Sequence, residues 1–205
     1  MEEQKKTVTE LVFILDKSGS MCGLEADTVG GFNSNLARHR TENEAVLVTT
    51  ALFSSNMTVI HDRVPISEVK NMSAEDFTVG GSTALYDAIG KQIDHISAVH
   101  RYIRREDIPD STVFIIMTDG YENASRTYSR DTIRKMISEK RENGWEFIFL
   151  GANIDTESVA RDMGMDERLA LSFEATSAGV AECYDSMWCA IDKVKKVKKG
   201  KGERR

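Results

Sequence analysis

The sequence predicts a doubly wound, Rossmann-like α/β fold: a mostly parallel sheet of about six strands, one an antiparallel edge strand, with helices on both faces. Three observations point to it. Four runs, LVFIL (11–15), AVLVTTALF (45–53), TVFIIM (112–117) and EFIFLG (146–151), are nearly unbroken in apolar residues, as strands covered on both faces require. Between them lie stretches with apolar residues at three-to-four spacing, the helical period. The connections are short, and strands alternating with helices across short links imply parallel strands joined by crossover helices.

In chain order, the first strand ends at Asp16, and a helix over 24–41 leads to strand 45–53. After only SSN the run MTVIHDRV (57–64) follows, which predicts a hairpin and therefore an antiparallel strand at the sheet edge. The segment 84–105 reads as a helix leading to strand 112–117. The next helix, 129–143, has Ser129 with Thr132 at its start and Gly144 as its stop. Strand 146–151 is followed by a helix over 155–163, a weak strand LALSF (169–173) and a last helix over 175–195. Asp155 or Thr156 reads as a cap of its helix rather than a ligand. His39, His61, His95 and His100 fall on helices or the edge strand and belong to no recognisable Ser/His/Asp set, so packing or solvation is expected of each. Met163, Met165, Met187 and Trp188 read as core, with Met187 and Trp188 the alternative of a docking face.

A chain of 205 residues with 40% hydrophobic composition is long enough for one well-buried core, placed at 1–192. The formal charge of -6 is uneven: residues 193–205 carry eight Lys and Arg against Glu203, which leaves -13 on residues 1–192. An acidic body argues against a phosphate-binding surface. The basic end, expected to be a solvated and partly disordered tail, is where nucleic acid or an anionic lipid surface would be met, if at all. Cys22, Cys183 and Cys189 are odd in number and lack the paired spacing of a zinc site, which fits a reducing compartment. The apolar run before Asp16 is five residues, too short for a signal segment or a membrane span, so a cytoplasmic location is expected.

The chemistry gathers where strands end. VFILDKSGSM places Asp16, Ser18 and Ser20 after the first strand, with Gly19 relieving the turn. VGGSTALYDAI places Ser82 and Thr83 where a glycine turn becomes a helix, and IIMTDGYENAS ends its strand on Thr118 and Asp119. Ser82 reads as a helix cap. In doubly wound sheets, ligands bind at the carboxyl ends of strands near the point where strand order reverses. Two carboxylates and several hydroxyls, without nitrogen or sulfur, suit a hard cation such as Mg2+, Mn2+ or Ca2+. Cys22, beside this cluster, is expected to be small, partly buried and no ligand.

Asp16-x-Ser18-x-Ser20, Thr83 after GGS, and Asp119-Gly120 after a hydrophobic strand resemble the metal-ion-dependent adhesion site (MIDAS) of von Willebrand factor type A domains. Order and spacing match that family over nearly the whole chain. The resemblance implies a metal held by Ser18, Ser20 and Thr83, with Asp16 and Asp119 binding it directly or through water. It also implies Mg2+ as the cofactor and a partner protein that offers an Asp or Glu side chain to the metal. A stand-alone intracellular member of the bacterial kind is the better analogue. Tyr121, Glu122, Asn123 and Arg126, in the loop after Asp119, are candidates for partner selectivity.

The rival is a metal-dependent hydrolase or phosphotransferase with Asp16 as nucleophile. In the haloacid-dehalogenase superfamily a second acid two residues on does the proton transfer, and here that position is Ser18. GGSTAL lacks the Gly-Lys-Ser/Thr ending of a phosphate loop. No complete catalytic constellation is present, and a binding role is expected.

Overall fold

The computed structural model describes residues 7–40 and 45–202, with side chains to 195. Strands β1 (Val8–Asp16), β2 (Ala45–Phe53), β3 (Met57–Pro65), β4 (Ser111–Thr118), β5 (Glu146–Gly151) and β6 (Ala170–Ser172) form one sheet in the order β3-β2-β1-β4-β5-β6. Helices α1 (Glu25–His39), α2 (Leu85–Tyr102), α3 (Arg130–Glu142), α4 (Thr156–Asp162) and α5 (Ser177–Gly202) cover it. All pairings are parallel except β2 with β3. The doubly wound fold and its antiparallel edge strand are therefore those the apolar runs predict.

The sequence pattern explains the layering. Along β1, Leu11, Phe13 and Leu15 enter a core packed by α1 and α5, whereas Val12 and Ile14 enter a second core packed by α2, α3 and α4. Every second residue of a strand faces the same way, so a strand buried on both sides is apolar at most of its positions. The turn Ser54–Asn56 closes the β2–β3 hairpin, with Ser54 N donating to Asn56 O at 2.8 Å. After β3 the chain crosses the α1 side without regular structure, burying Ile66, Val69, Met72 and Phe77. Asn33 of α1 fastens this strap, accepting from Met72 N and donating to Met72 O, both at 2.8 Å.

Several local expectations hold. Ser129 caps α3 through Thr132 N, and Asp155 caps α4 through Ser158 N. Gly144 follows α3 at φ +85°, the left-handed conformation that ends helices. Met163, Met165, Met187 and Trp188 are all buried, so Met187 and Trp188 are core and not a docking face. His39 stacks on Trp188 at 3.7 Å between ring centroids, and His61 is buried against the Thr50 hydroxyl.

Others need correction. The boundary set at 192 falls inside a continuous helix: α5 runs on to Gly202, and Val194 and Lys195 are still buried. The stretch 193–202 is thus helical where disorder was expected, and residues 203–205 of that tail lie outside the described residues. Cys22 is exposed rather than partly buried. Ser82 does not cap α2, whose N-cap residue is Ala84 and has no side-chain cap bond. Among the described residues no helix is long and apolar enough to cross a membrane.

Candidate functional site

Strand order reverses at β1, since the chain passes from β1 through α1 to β2 on one side and from β3 through α2 to β4 on the other. The carboxyl ends of β1 and β4 therefore lie together. Asp16 is the last residue of β1 and Asp119 directly follows β4, so the two carboxylates meet there through topology alone.

Hydroxyls join them. Thr83 Oγ1 donates to Ser18 Oγ at 3.1 Å, Ser18 and Ser20 share a hydrogen bond at 3.1 Å, and Ser20 Oγ donates to Asp119 Oδ1 at 2.5 Å. Asp16 anchors the base: its Oδ1 accepts Ser18 N at 2.7 Å and its Oδ2 accepts the Thr118 hydroxyl at 2.6 Å. All five residues expected to bind metal thus form one hydrogen-bonded cluster. Asp16, Ser18, Thr83 and Asp119 are buried and Ser20 is exposed, which leaves the cluster open on one side.

Two features show what the cluster suits. Asp119 Oδ2 is buried without any hydrogen-bond partner, a situation that costs roughly 1–3 kcal/mol for a neutral acceptor and more for a charged one. Burial also pushes the Asp16 pKa up, against the lowering pull of Thr118 and Ser18, and the nearby Asp119 charge pushes it further. Burial likewise raises Asp119. Two destabilised carboxylates and a partnerless oxygen are what a cation would relieve. No group of three or more His, Cys, Asp or Glu among the described residues is placed to hold a metal. A metal here would be held largely by hydroxyls, and the donor set fits a hard divalent ion.

The backbone is shaped around the cluster. Gly19 N donates to Gly81 O at 3.0 Å and Gly80 N to Lys17 O at 2.9 Å, stapling the Asp16–Ser20 turn to the loop that carries Thr83. Gly81, not Gly19, is where glycine is required: its φ is +83° and an added Cβ would meet Ser55 Oγ at 2.8 Å, whereas at Gly19 the nearest atom lies at 3.5 Å.

The four expected rim residues divide. Asn123 grips Thr83 at both ends, donating from its N to Thr83 O at 3.0 Å and accepting Thr83 N on Oδ1 at 2.9 Å. Glu122 turns inward and organises the loop. Its Oε1 takes Ala124 N and Ser125 N, and its Oε2 takes Tyr86 N and the Ser125 hydroxyl. Tyr121 and Arg126 remain exposed at the rim, Tyr121 accepting Asp155 N at 3.1 Å.

Asp87 was not foreseen. From the first turn of α2 it accepts the amides of Arg126, Thr127 and Tyr128 at 2.9–3.1 Å. Burial works against its ionisation, yet these amides hold its pKa below the usual carboxylate value. Together Glu122 and Asp87 lock the loop 121–128 onto the start of α2. The only sequence signal was an acid in a helix's first turn, which is commonplace.

A doubly wound α/β domain with an open oxygen cluster at its switch point describes one class of ligand-binding protein. The chain belongs to the von Willebrand factor type A domain family, whose model matches residues 10–184. Solved structures share the fold. Proximal thread matrix protein 1 from the mussel byssus matches at 15% identity and a TM-score of 0.63, over 95% of this chain and 47% of that one. The same mussel protein with a zinc-occupied MIDAS motif matches at 14% identity and a TM-score of 0.58, over 95% of this chain and 47% of that one. The von Willebrand factor domain of a type V pilus tip protein from Porphyromonas gingivalis matches at 9% identity and a TM-score of 0.67, over 91% of this chain and 96% of that one. The chain thus spans about half the length of the mussel protein, and these likenesses establish the fold. Among curated protein sequences none matches significantly.

Proposed function

We propose that this chain is a divalent-metal-dependent protein-binding module. Asp16, Ser18, Ser20, Thr83 and Asp119 hold the metal, Mg2+ in the first instance with Mn2+ or Ca2+ as substitutes, and a partner's Asp or Glu side chain completes the shell. The carrying observation is the buried, partnerless Asp119 Oδ2 within an all-oxygen cluster that is open on one side. The metal supplies positive charge that a partner carboxylate can meet. The chain's residues fix the donors and shape the approach. An intracellular location is part of the proposal and is supported by three free cysteines, Cys22, Cys183 and Cys189.

The test is calorimetric titration of metal-stripped protein with Mg2+ and Mn2+, followed by metal-dependent retention of an Asp-containing peptide against its Asn counterpart. Saturable binding at one site, weakened in Thr83→Ala, with retention of the Asp peptide only, is expected. Absence of metal binding in the wild type together with equal retention of both peptides would sink the reading.

Asn123→Ala is a further expectation. The variant loses the acceptor that fixes Thr83 N, while Asn123 is exposed and its removal opens no cavity. Metal affinity should drop about 10- to 100-fold, the range for groups that orient ligands from behind. Thermal stability of the metal-free protein should barely move. Calorimetry alongside a thermal melt separates the two, and an unchanged affinity would remove Asn123 from the site.

A further inference from the structure

We propose, building on the metal-site reading above, that the groove beside the site is a second anion subsite. The partner segment is then acidic at two positions two or four residues apart, one carboxylate for the metal and the next for Lys91 and Arg126.

The groove, of about 630 Å3, lies between the first turns of α2 and the loop 121–128. Ser82 and Asn123 line it. Ser82 directly precedes Thr83 and Asn123 grips Thr83, so the groove lies beside the metal cluster. Asp87, Lys91 and Arg126 line it too. Asp87 and Lys91 are four apart on α2 and share a face. The Asp87 carboxylate is already committed to three loop amides. Lys91 and Arg126 are exposed, and among the described residues neither side chain makes a hydrogen bond or an ion pair. Asp94, one turn beyond Lys91, instead accepts the Tyr128 hydroxyl at 2.6 Å. Two cations whose side chains make no hydrogen bond or ion pair among the described residues, Lys91 being close enough to Asp87 to help hold its pKa down, thus flank a groove on a body whose formal charge is -13. A carboxylate placed there gains charge-assisted hydrogen bonds that the rest of an acidic surface denies it.

Geometry sets the spacing. Lys91 is six residues beyond Leu85, where α2 begins beside Thr83, which is about 9 Å along the helix axis. An extended chain rises about 3.3 Å per residue and turns every second side chain to the same face, so the residue that reaches Lys91 from an acid on the metal is the second or the fourth, about 7 or 13 Å on.

Labelled synthetic peptides of neutral background test this by fluorescence anisotropy. They carry one Asp alone, or that Asp with a Glu one, two, three or four residues later, and each is measured in saturating Mg2+ and in EDTA. The peptide with the two- or the four-residue spacing is expected to bind about tenfold more tightly than the single-acid peptide, and the odd spacings to give no gain. That gain should vanish in the double variant Lys91→Gln with Arg126→Gln, whose fold circular dichroism verifies. Mg2+-dependent binding of the single-acid peptide with no gain from a second acid, or a gain that survives the double variant, overturns the subsite and leaves the metal reading standing. A gain that persists in EDTA and is lost in the double variant upholds the subsite and overturns the metal reading. No binding of any peptide in Mg2+ overturns both.

Discussion

Replacing Glu10 with alanine is expected to lower the unfolding free energy by about 3–5 kcal/mol, the range for breaking a buried charge pair from one side. Glu10 is fully buried in the central strand β1. Its Oε1 accepts Arg63 Nε at 2.6 Å, its Oε2 meets His100 Nε2 at 2.7 Å, and the Thr112 hydroxyl lies 3.4 Å from Oε2. Without the carboxylate, a guanidinium 17% exposed and an imidazole 12% exposed lose their shared partner. That partial access to water places the effect toward the lower end of the range. Glu10→Gln keeps the volume and one acceptor and should recover part of the loss. Urea melts report it: the midpoint should fall with little change in slope. A midpoint shift equivalent to less than ~1 kcal/mol would class the cluster with surface ion pairs. Metal affinity should be unaffected, because six residues of strand, about 20 Å, separate Glu10 from Asp16.

The second large effect has two signs. Asp119→Asn should abolish metal binding, with an affinity loss beyond about 100-fold, since it removes one of only two carboxylates that neutralise the ion. The metal-free protein should nevertheless become more stable. Burial raises the pKa of both Asp119 and Asp16, so in the absence of metal each ionised group opposes folding. An acid whose folded pKa lies above its unfolded value weakens the fold at neutral pH, and that penalty lifts as pH falls through the folded pKa toward about 3.8. Metal acts in the opposite direction, because it holds the carboxylates deprotonated and is displaced by protons. The rise in melting temperature given by saturating Mg2+ should therefore shrink as pH is lowered and be absent in Asp119→Asn at every pH. Melting curves across pH 4–8 (a window of about two units to either side of 6) check both, and a metal-induced rise that persists in Asp119→Asn would exclude that carboxylate as a ligand.

Much of this architecture is readable from residue order, for a physical reason. The central strands are buried on both faces, which makes 45–53 and 146–151 mostly apolar runs, and the structure places β2 and β5 on those residues. The meeting of Asp16, Ser18, Ser20, Thr83 and Asp119 in one hydrogen-bonded cluster was legible because these side chains directly follow apolar strands or open a helix at one edge of the sheet. Glu10 shows the opposite case. It sits in TEL, just before an apolar run, and looks like the solvated start of a strand. Its partners arrive from residues 63, 100 and 112, which no local pattern connects to it. Glu122 and Asp87 escaped for the same reason, since an acid that accepts amides from a distant loop is indistinguishable in sequence from one facing water. The cap of α2 was misassigned to Ser82 because the bonds at the helix start come from Glu122 and Ser125 instead.

The two lateral margins of the sheet carry a different implication, for behaviour at high concentration. β6 is three residues long, too short to template another strand. β3 is longer but shifts register twice against β2, places Arg63 in the left-handed conformation at φ 52°, and presents charged Asp62 outward. Bends and charges of this kind discourage edge-to-edge stacking. Copies of the domain crowded together would therefore resist fusing edge to edge into a shared ribbon.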